Sequence, residues 1–396
     1  MLTGSIKLKA DKKIVNYILC INQQQLWQSC NYHHKKLIDL YNSSLSIEKI
    51  ISCQAIDKFD SPFFTKILQA NYDRCRFIIT SPQINFLSLS RFLQKFKNTH
   101  VEINIHLYGN LFREQNHLIA LLKLAESRNW KVKLISPTET FSITIKKILN
   151  ANKGIFTIPL FKQPLSSEKK ITLLEDTNSD QFKIGYAGRI TEDKNLHSLL
   201  LLFKDKLIYE KYTLFVAGSF DSHIYTKRTK NLQTPYLFLI AEIYRSLSDE
   251  AKGRIHFLGD LDRGQLAYFY KKINLCINLS TFYGEVFGLS TAEALSSGCQ
   301  VLTTKWGGLN DLNTDKHNLV NVKISSMGRT SVDLEDLTKK LLMIKNKRVK
   351  KVIKNDARST QLIADTLMSS ESVASKKKYK ILNRKQWSLV FSKATI

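Results

Sequence analysis

The sequence predicts an α/β protein of two domains, each built on a parallel sheet. Three observations predict it. At 396 residues the chain is too long for one compact core. Short apolar runs alternate with helical patterns in both halves, the signature of parallel strands joined by crossover helices. A single polar, turn-rich stretch, KQPLSSEKKITLLEDTNSDQ (162–181), interrupts that alternation and reads as an interdomain linker. The expected division is 1–165 and 166–375, followed by a basic segment, 376–396, that ends in a helix.

The elements follow in order. MLTGSIKLKADKKIVNYILCIN has lysines and then a short apolar run broken by Asn16, so it reads as a first strand and not as a signal peptide. RFIIT (76–80) precedes the helical SLSRFLQKFK, INIHLYG (103–109) precedes HLIALLKLAESRN, and WKVKLIS (130–136) precedes TETFSITIKKILN. GIFTIP (154–159) is one more strand, ended by Pro159. Beyond the linker come FKIGYAG (182–188), YTLFVAG (212–218), RIHFLG (254–259), INLCINLS (273–280) and QVLTT (300–304). In such a fold a ligand binds at the carboxyl ends of the strands, here in a cleft between the domains.

Composition narrows the classes. Six scattered cysteines without a CxxC pair or a nearby histidine cluster argue against a disulfide framework or a zinc site. No run approaches the roughly 20 apolar residues of a membrane span, so a soluble cytoplasmic protein is expected. The charge is unusual, with 60 Lys/Arg against 34 Asp/Glu. Between Lys339 and Ile396 stand sixteen of those cations and three acids, so half of the excess sits in the last 58 residues. A face of that kind suits an anionic partner, either a membrane surface or a nucleic acid.

Two stretches carry chemistry. In IGYAGRITEDKN (184–195) a strand runs into Gly188, and Arg189 and Lys194 follow. Two cations beside a glycine past a strand end suit a diphosphate, although an exposed basic loop would look the same. In STFYGEVFGLSTAEALSSGCQVLTTKWGG (280–308) a turn holds Glu285 and a short helix holds Glu293, with Gly298 as its C-terminal cap and Gly307-Gly308 further on. The helix start at Leu289 and Ser290 offers amides and a dipole to an anion. The two glutamates could accept from the hydroxyls of a hexose and a ribose, or be one cap and one surface carboxylate.

Taken in order, GxAGR-x4-K, a strand ending in AG, IHFLG, S-x4-E-x-FG-x4-EAL-x2-G and a final GG resemble the second domain of retaining GT-B glycosyltransferases. Family-4-like enzymes (glycosyl transferases group 1) have the most similar pattern, and the resemblance covers about residues 182–320. It implies two Rossmann-like domains with parallel sheets facing across a cleft. By that resemblance Gly188, Arg189 and Lys194 meet the donor diphosphate, Glu285 contacts donor-sugar hydroxyls and Glu293 binds the ribose. The backbone of Phe287, Gly288, Leu289 and Ser290 cradles sugar and phosphate. His106 matches a histidine that the family often places near the donor sugar, although a core histidine would also fit. Two departures stand out: INQQQLWQS replaces the early Gly-rich loop, and Gln300 stands where proline is usual.

The resemblance implies hexosyl transfer from a nucleotide-diphosphate sugar with retention of configuration, by same-face attack in which the departing phosphate takes the acceptor proton. No cofactor is expected beyond that co-substrate. No metal is expected either: Asp260-Leu261-Asp262 reads as a turn, and the two cations with the helix start can do a metal's electrostatic work. SLSRFLQKFKN, KNKRVKKVIK and SKKKYK together suggest docking on anionic lipid at the inner face of the cytoplasmic membrane, with core packing as the other reading of the first. A glycan or lipid-linked acceptor in bacterial surface polysaccharide or lipopolysaccharide synthesis would explain such docking. Two rivals are a GT-B-fold nucleotide-sugar epimerase, which would need a further acid/base set, and a basic nucleic-acid-binding protein. The latter lacks a helix-turn-helix, RNP or zinc pattern, so no nucleic-acid partner is expected.

Overall fold

A computed structural model describes residues 14–20, 28–45, 47–52, 74–80, 86–96, 99–109, 111–151, 153–160, 165, 168–175, 181–220, 235–312, 315–344, 356–373, 379 and 381–392. The chain divides into two compact units, Met1–Gln163 with Lys354–Trp387 and Pro164–Ile353 with Ser388–Ile396.

The first unit carries β1 (Ile14–Cys20), α1 (Gln28–Ser44), β2 (Ile47–Ser52), β3 (Arg74–Ile79), α2 (Phe86–Leu93), β4 (His100–His106), α3 (Leu111–Ser127), β5 (Lys131–Ser136), α4 (Glu139–Leu149) and β6 (Ile155–Thr157). Its strands pair in parallel in the order β2-β1-β3-β4-β5-β6. The central strands are buried on most of their residues, as strands covered on both faces must be, although Glu102, Asn104 and Lys133 stand among the buried ones. In α2 the apolar stripe Phe86, Leu89, Phe92 and Leu93 is buried, and Leu87 is its exposed large residue at 38 %. Core packing, not lipid, accounts for that helix's amphipathicity.

The second unit carries α5 (Thr172–Glu175), β7 (Phe182–Ala187), α6 (Leu196–Leu202), α7 (Lys206–Lys211), β8 (Tyr212–Ala217), α8 (Pro235–Arg245), α9 (Asp249–Lys252), β9 (Ile255–Gly259), α10 (Arg263–Lys272), β10 (Leu275–Asn278), α11 (Leu289–Ser296), β11 (Gln300–Thr304), α12 (Leu309–Leu312) and β12 (Leu319–Val320). A two-stranded antiparallel ribbon, β13 (Val322–Ile324) with β14 (Thr330–Val332), and α13 (Leu334–Met343) follow. The main sheet is parallel, in the order β12-β11-β10-β7-β8-β9. From β7 the chain winds one way through β8 and β9, then returns to lay β10 against the other side of β7. The order therefore reverses between β7 and β10, and the loops leaving these two strands part around a crevice at their carboxyl ends. Gly298 closes α11 with φ 76°, the left-handed conformation that ends many helices.

Two more helices follow among the described residues. α14 (Asp356–Met368) belongs to the first unit, which corrects the expectation that the second domain extends to residue 375. Its Ile363 and Leu367 enter a core with Ile18, Leu37, Tyr41, Ile78 and Ile135. The buried Lys133 Nζ donates to its terminal carbonyls, Thr366 O at 2.7 Å and Leu367 O at 3.1 Å, where the helix dipole favours a cation. The division between the units falls within α15 (Arg384–Phe391): Trp387 meets Phe112 edge-on within the first unit, and Phe391 meets Trp306 edge-on within the second. Most of KNKRVKKVIK and SKKKYK, and residues 21–27 of the INQQQLWQS region, lie outside the described residues. Among the described residues no helix is long and apolar enough to cross a membrane.

Candidate functional site

The loop after β7 forms one side of the crevice. Gly188 (φ 155°) donates to Ala217 O at 3.0 Å, and nothing lies within 4 Å of the position a Cβ would take there. This stretch of backbone is open to close approach. Tyr186 Oη donates to Arg189 O at 2.6 Å, and burial pushes its phenol well above the ordinary range, so it stays a neutral donor. A 3-10 turn, Glu192–Lys194, then leads to Asn195 in the left-handed conformation, φ 55°. Asn tolerates that conformation better than most residues because its short polar side chain bonds locally. Here it bonds across the crevice floor. Asn195 Nδ2 donates to Leu279 O at 2.9 Å and Thr281 Oγ1 at 3.0 Å, and Thr281 N donates to Asp193 O at 2.8 Å.

These bonds bring the two loops together, and with them the residues expected for the donor. Lys194 Nζ donates to the Glu285 carboxylate, with the two side chains only 17 % and 10 % exposed. Burial alone would raise the Glu285 pKa. The charge of Lys194, hydrogen bonds from Lys194 and Ser280 and the charge of Arg189 outweigh it, so the carboxyl is held below its usual range. Glu285 is therefore an ionised acceptor at neutral pH and not a proton donor. Arg189, Lys194 and Glu285 form one charged cluster at the reversal of strand order.

The Gly-Gly pair has a role that lies outside local turn geometry. Gly308 N donates to Glu285 O at 2.8 Å, and a Cβ on Gly308 would stand 2.3 Å from the Val286 carbonyl carbon. Glycine lets this turn press its backbone against the loop that presents Glu285. Trp306 Nε1 adds a bond to Phe282 O at 2.8 Å. Gly308→Ala is expected to cost about 3 kcal/mol, the upper end for forced overpacking. It should also displace Glu285, and urea unfolding together with ligand affinity would read both effects.

α11 forms the rest of the site. Gly288 (φ 84°) sits ahead of it and accepts the helix's first bond, from Ala292 N at 3.0 Å. The amides of Leu289, Ser290 and Thr291 precede that bond, so they have no acceptor within the helix. Phe287 is buried and anchors the turn, while Leu289 and Ser290 are half-buried. Asn278 Nδ2 donates to Thr291 Oγ1 at 3.0 Å, fixing the first turn to the end of β10. Glu293 is buried, at 7 % exposure, and its Oε1 accepts from Arg263 Nη1 at 2.7 Å. Sequence reasoning missed Arg263, Asn195 and Thr281. Asn195, beside Lys194 in a motif already noticed, was within reach of it; the other two act across 30 and 86 residues of chain.

His106 is placed in the first unit, at the end of β4, at 1 % exposure. Both ring nitrogens are engaged, Nε2 with Tyr41 Oη at 2.7 Å and Nδ1 with Tyr108 Oη at 2.9 Å. His33 Nε2 continues the chain to Tyr108 Oη at 2.8 Å. The DxD-like pair is engaged elsewhere: Asp262 caps α10 in a reciprocal box with Gln265 and meets Lys169 at 3.0 Å, while Asp260 accepts from Ser219 at 2.8 Å. Gln300 opens β11 buried, as a strand residue.

Residues 170–357 match the family described as Glycosyl transferases group 1. No curated protein sequence matches the chain. Among solved structures, sucrose-phosphate synthase from Thermosynechococcus elongatus superposes with TM-score 0.59 at 15 % identity, over 89 % of this chain and 96 % of that one. The lipopolysaccharide outer core galactosyltransferase WaaB gives 0.56 at 11 % identity, over 89 % and 99 %. HepE of Anabaena, in complex with UDP and glucose, gives 0.54 at 13 % identity, over 89 % and 93 %.

Proposed function

We propose, from the match of residues 170–357 to the family described as Glycosyl transferases group 1 and from the GT-B fold, that the chain moves a hexose from a nucleotide-diphosphate sugar to a glycan or lipid-linked acceptor with retention of configuration. The observation that carries the reading is the Arg189, Lys194 and Glu285 cluster at the point where strand order reverses. Two cations and the first amides of α11 suit a diphosphate whose charge grows as the sugar leaves. A carboxylate held ionised beside them suits sugar hydroxyls, which donate to it.

In this reading Lys194 exchanges part of its bond to Glu285 for a phosphate oxygen, and Arg189 grips the same group. Glu285 and Glu293 are both tied to cations, so they serve as acceptors and not as nucleophiles. The departing phosphate takes the acceptor's proton, which gives attack on the face the nucleotide leaves. No metal is required, since the cations and helix start supply the positive field. The net charge of +26 supports work at the inner face of an anionic membrane, in surface polysaccharide or lipopolysaccharide synthesis.

A thermal-shift screen against UDP, GDP, ADP and their sugars, with and without EDTA, tests the reading. UDP comes first because the HepE structure holds it. One nucleotide family should stabilise the protein by about 2.7 kcal/mol at a hundredfold excess over Kd. The shift should survive EDTA and shrink in Glu293→Ala. Absence of a shift with every nucleotide at millimolar concentration would sink the donor assignment, and a shift abolished by EDTA would sink the metal-free one.

A further inference from the structure

We propose that Arg263 is the positioning residue of the nucleoside end of the site: it holds Glu293 ionised and fixes the direction of its carboxylate. The inference rests on the donor reading above and adds a residue to it. The pair lies at the carboxyl edge of the second sheet, because α10 begins just past β9 and α11 just past the turn that leaves β10. Arg263 is the first residue of one helix and Glu293 lies on the other. Their side chains are 15 % and 9 % exposed, and Nη1 meets Oε1 at 2.7 Å.

A carboxylate buried to that degree either finds a partner charge or neutralises itself. A neutral carboxylic acid would present a donor to ribose hydroxyls in place of one of its acceptor oxygens. Arg263 keeps it an acceptor, and a planar guanidinium meeting a planar carboxylate also sets an angle that an ammonium would leave loose. The base of Arg263 is held rigid for this purpose. Asp262 Oδ1 accepts from Gln265 N at 2.8 Å, and Gln265 Oε1 accepts from Asp262 N at 2.9 Å. Lys169 N donates to Gly264 O at 3.1 Å on the other side. The Glu293 end is fixed by Ser297 Oγ, which donates to Glu293 O at 3.0 Å. The Asp-x-Asp stretch thus has a part in the site: its second aspartate caps the helix that carries the arginine.

The experiment is calorimetric titration of wild type, Arg263→Ala, Arg263→Lys, Glu293→Ala and the Arg263→Ala/Glu293→Ala double variant. The probes are UDP, GDP, ADP, their 2′,3′-dideoxy counterparts and pyrophosphate. Arg263→Ala should weaken the preferred nucleoside diphosphate about tenfold or more, the scale of a lost charged hydrogen bond. The dideoxy compound and pyrophosphate should hold to within about threefold, because neither offers a ribose diol to Glu293. The double variant should bind no worse than Glu293→Ala alone. Arg263→Lys keeps the charge without the fork, so it should recover part of the loss, and it carries the same comparison if Arg263→Ala fails to fold. Equal weakening of all probes would make the pair a scaffold contact and overturn the inference while leaving the donor site standing. An unchanged affinity for the nucleoside diphosphate would do the same. Wild type that binds none of the three nucleoside diphosphates would overturn the donor reading and this inference with it.

Discussion

Lys194→Ala is expected to lose about 10²–10³-fold in kcat, the loss seen when one preorganised charge donor is removed from a developing oxyanion. It should also destabilise the second unit by about 3–5 kcal/mol, because it strands the Glu285 carboxylate at 8 % exposure without its partner. Lys194→Ala/Glu285→Ala should be more stable than Lys194→Ala, since the unpaired charge is gone, yet no more active. The pH dependence separates the pair from a generic packing defect. In wild type the Glu285 pKa is lowered by folding, so its contribution to stability is full above about 4.5 and is lost as pH falls through the lower folded value. In Lys194→Ala burial dominates and raises the folded pKa, so stability there falls as pH rises from 4 towards neutrality. Between pH 5 and 7 the Glu285 contribution should therefore leave the urea midpoint level in wild type and make it fall with rising pH in Lys194→Ala. Equal slopes, or a variant with most of its activity, would remove Lys194 from the centre of the site.

The contrast between Lys194 and Arg263 shows what the chain order reveals and what it hides. Arg189, Lys194 and Glu285 lie in loops past the ends of short apolar strands and Glu293 on the short helix that follows, so local pattern places them. That two of these loops share one crevice follows from the reversal between β7 and β10, which no single window of sequence contains. The Arg263 to Glu293 bond leaves no periodic trace at all. α1 was hidden for a different reason: its buried face carries His33, His34 and Tyr41 beside Leu37 and Ile38, so its stripe is half polar and hydropathy does not mark it. α14 belongs to the first unit through partners far away in the chain, Lys133 at its end and Ile18, Ile78 and Ile135 against its apolar face. Gly308 reads as a turn residue, and its function is to accept the backbone of a loop more than twenty residues earlier.

The first unit should lose stability steeply as pH falls below 6.5, more steeply than its carboxylates alone would cause. Burial is the first cause: it lowers His33 to about 3, with the neighbouring charge of His34 adding to it, and it holds His106 well below the ordinary 6.5. Unfolding returns both rings to water and to that ordinary value. Below pH 6.5, and down to about 3 for His33, the unfolded chain therefore binds protons that the folded chain refuses, and stability falls with pH by about 1.4 kcal/mol per unit for each ring so affected. Above 6.5 both states are neutral at these sites and the slope vanishes. The neutral ring suits its neighbours, since one nitrogen donates and the other accepts, and the hydroxyls of Tyr41 and Tyr108 can answer either. A protonated His106 would bring a second donor and a charge against these two hydroxyls. Amide exchange in the β4 peptide should follow this curve, flattening by about one proton in His33→Gln, in which a neutral amide stands beside Tyr108. An unchanged slope in that variant would mean that His33 is not protonated on unfolding in this range. If His106 also serves the donor, as the resemblance implies, the acid limb of activity should coincide with amide opening, because the ring charges only when the unit opens. An acid limb that appears while the β4 amides stay protected would assign the proton to a group outside this chain of rings.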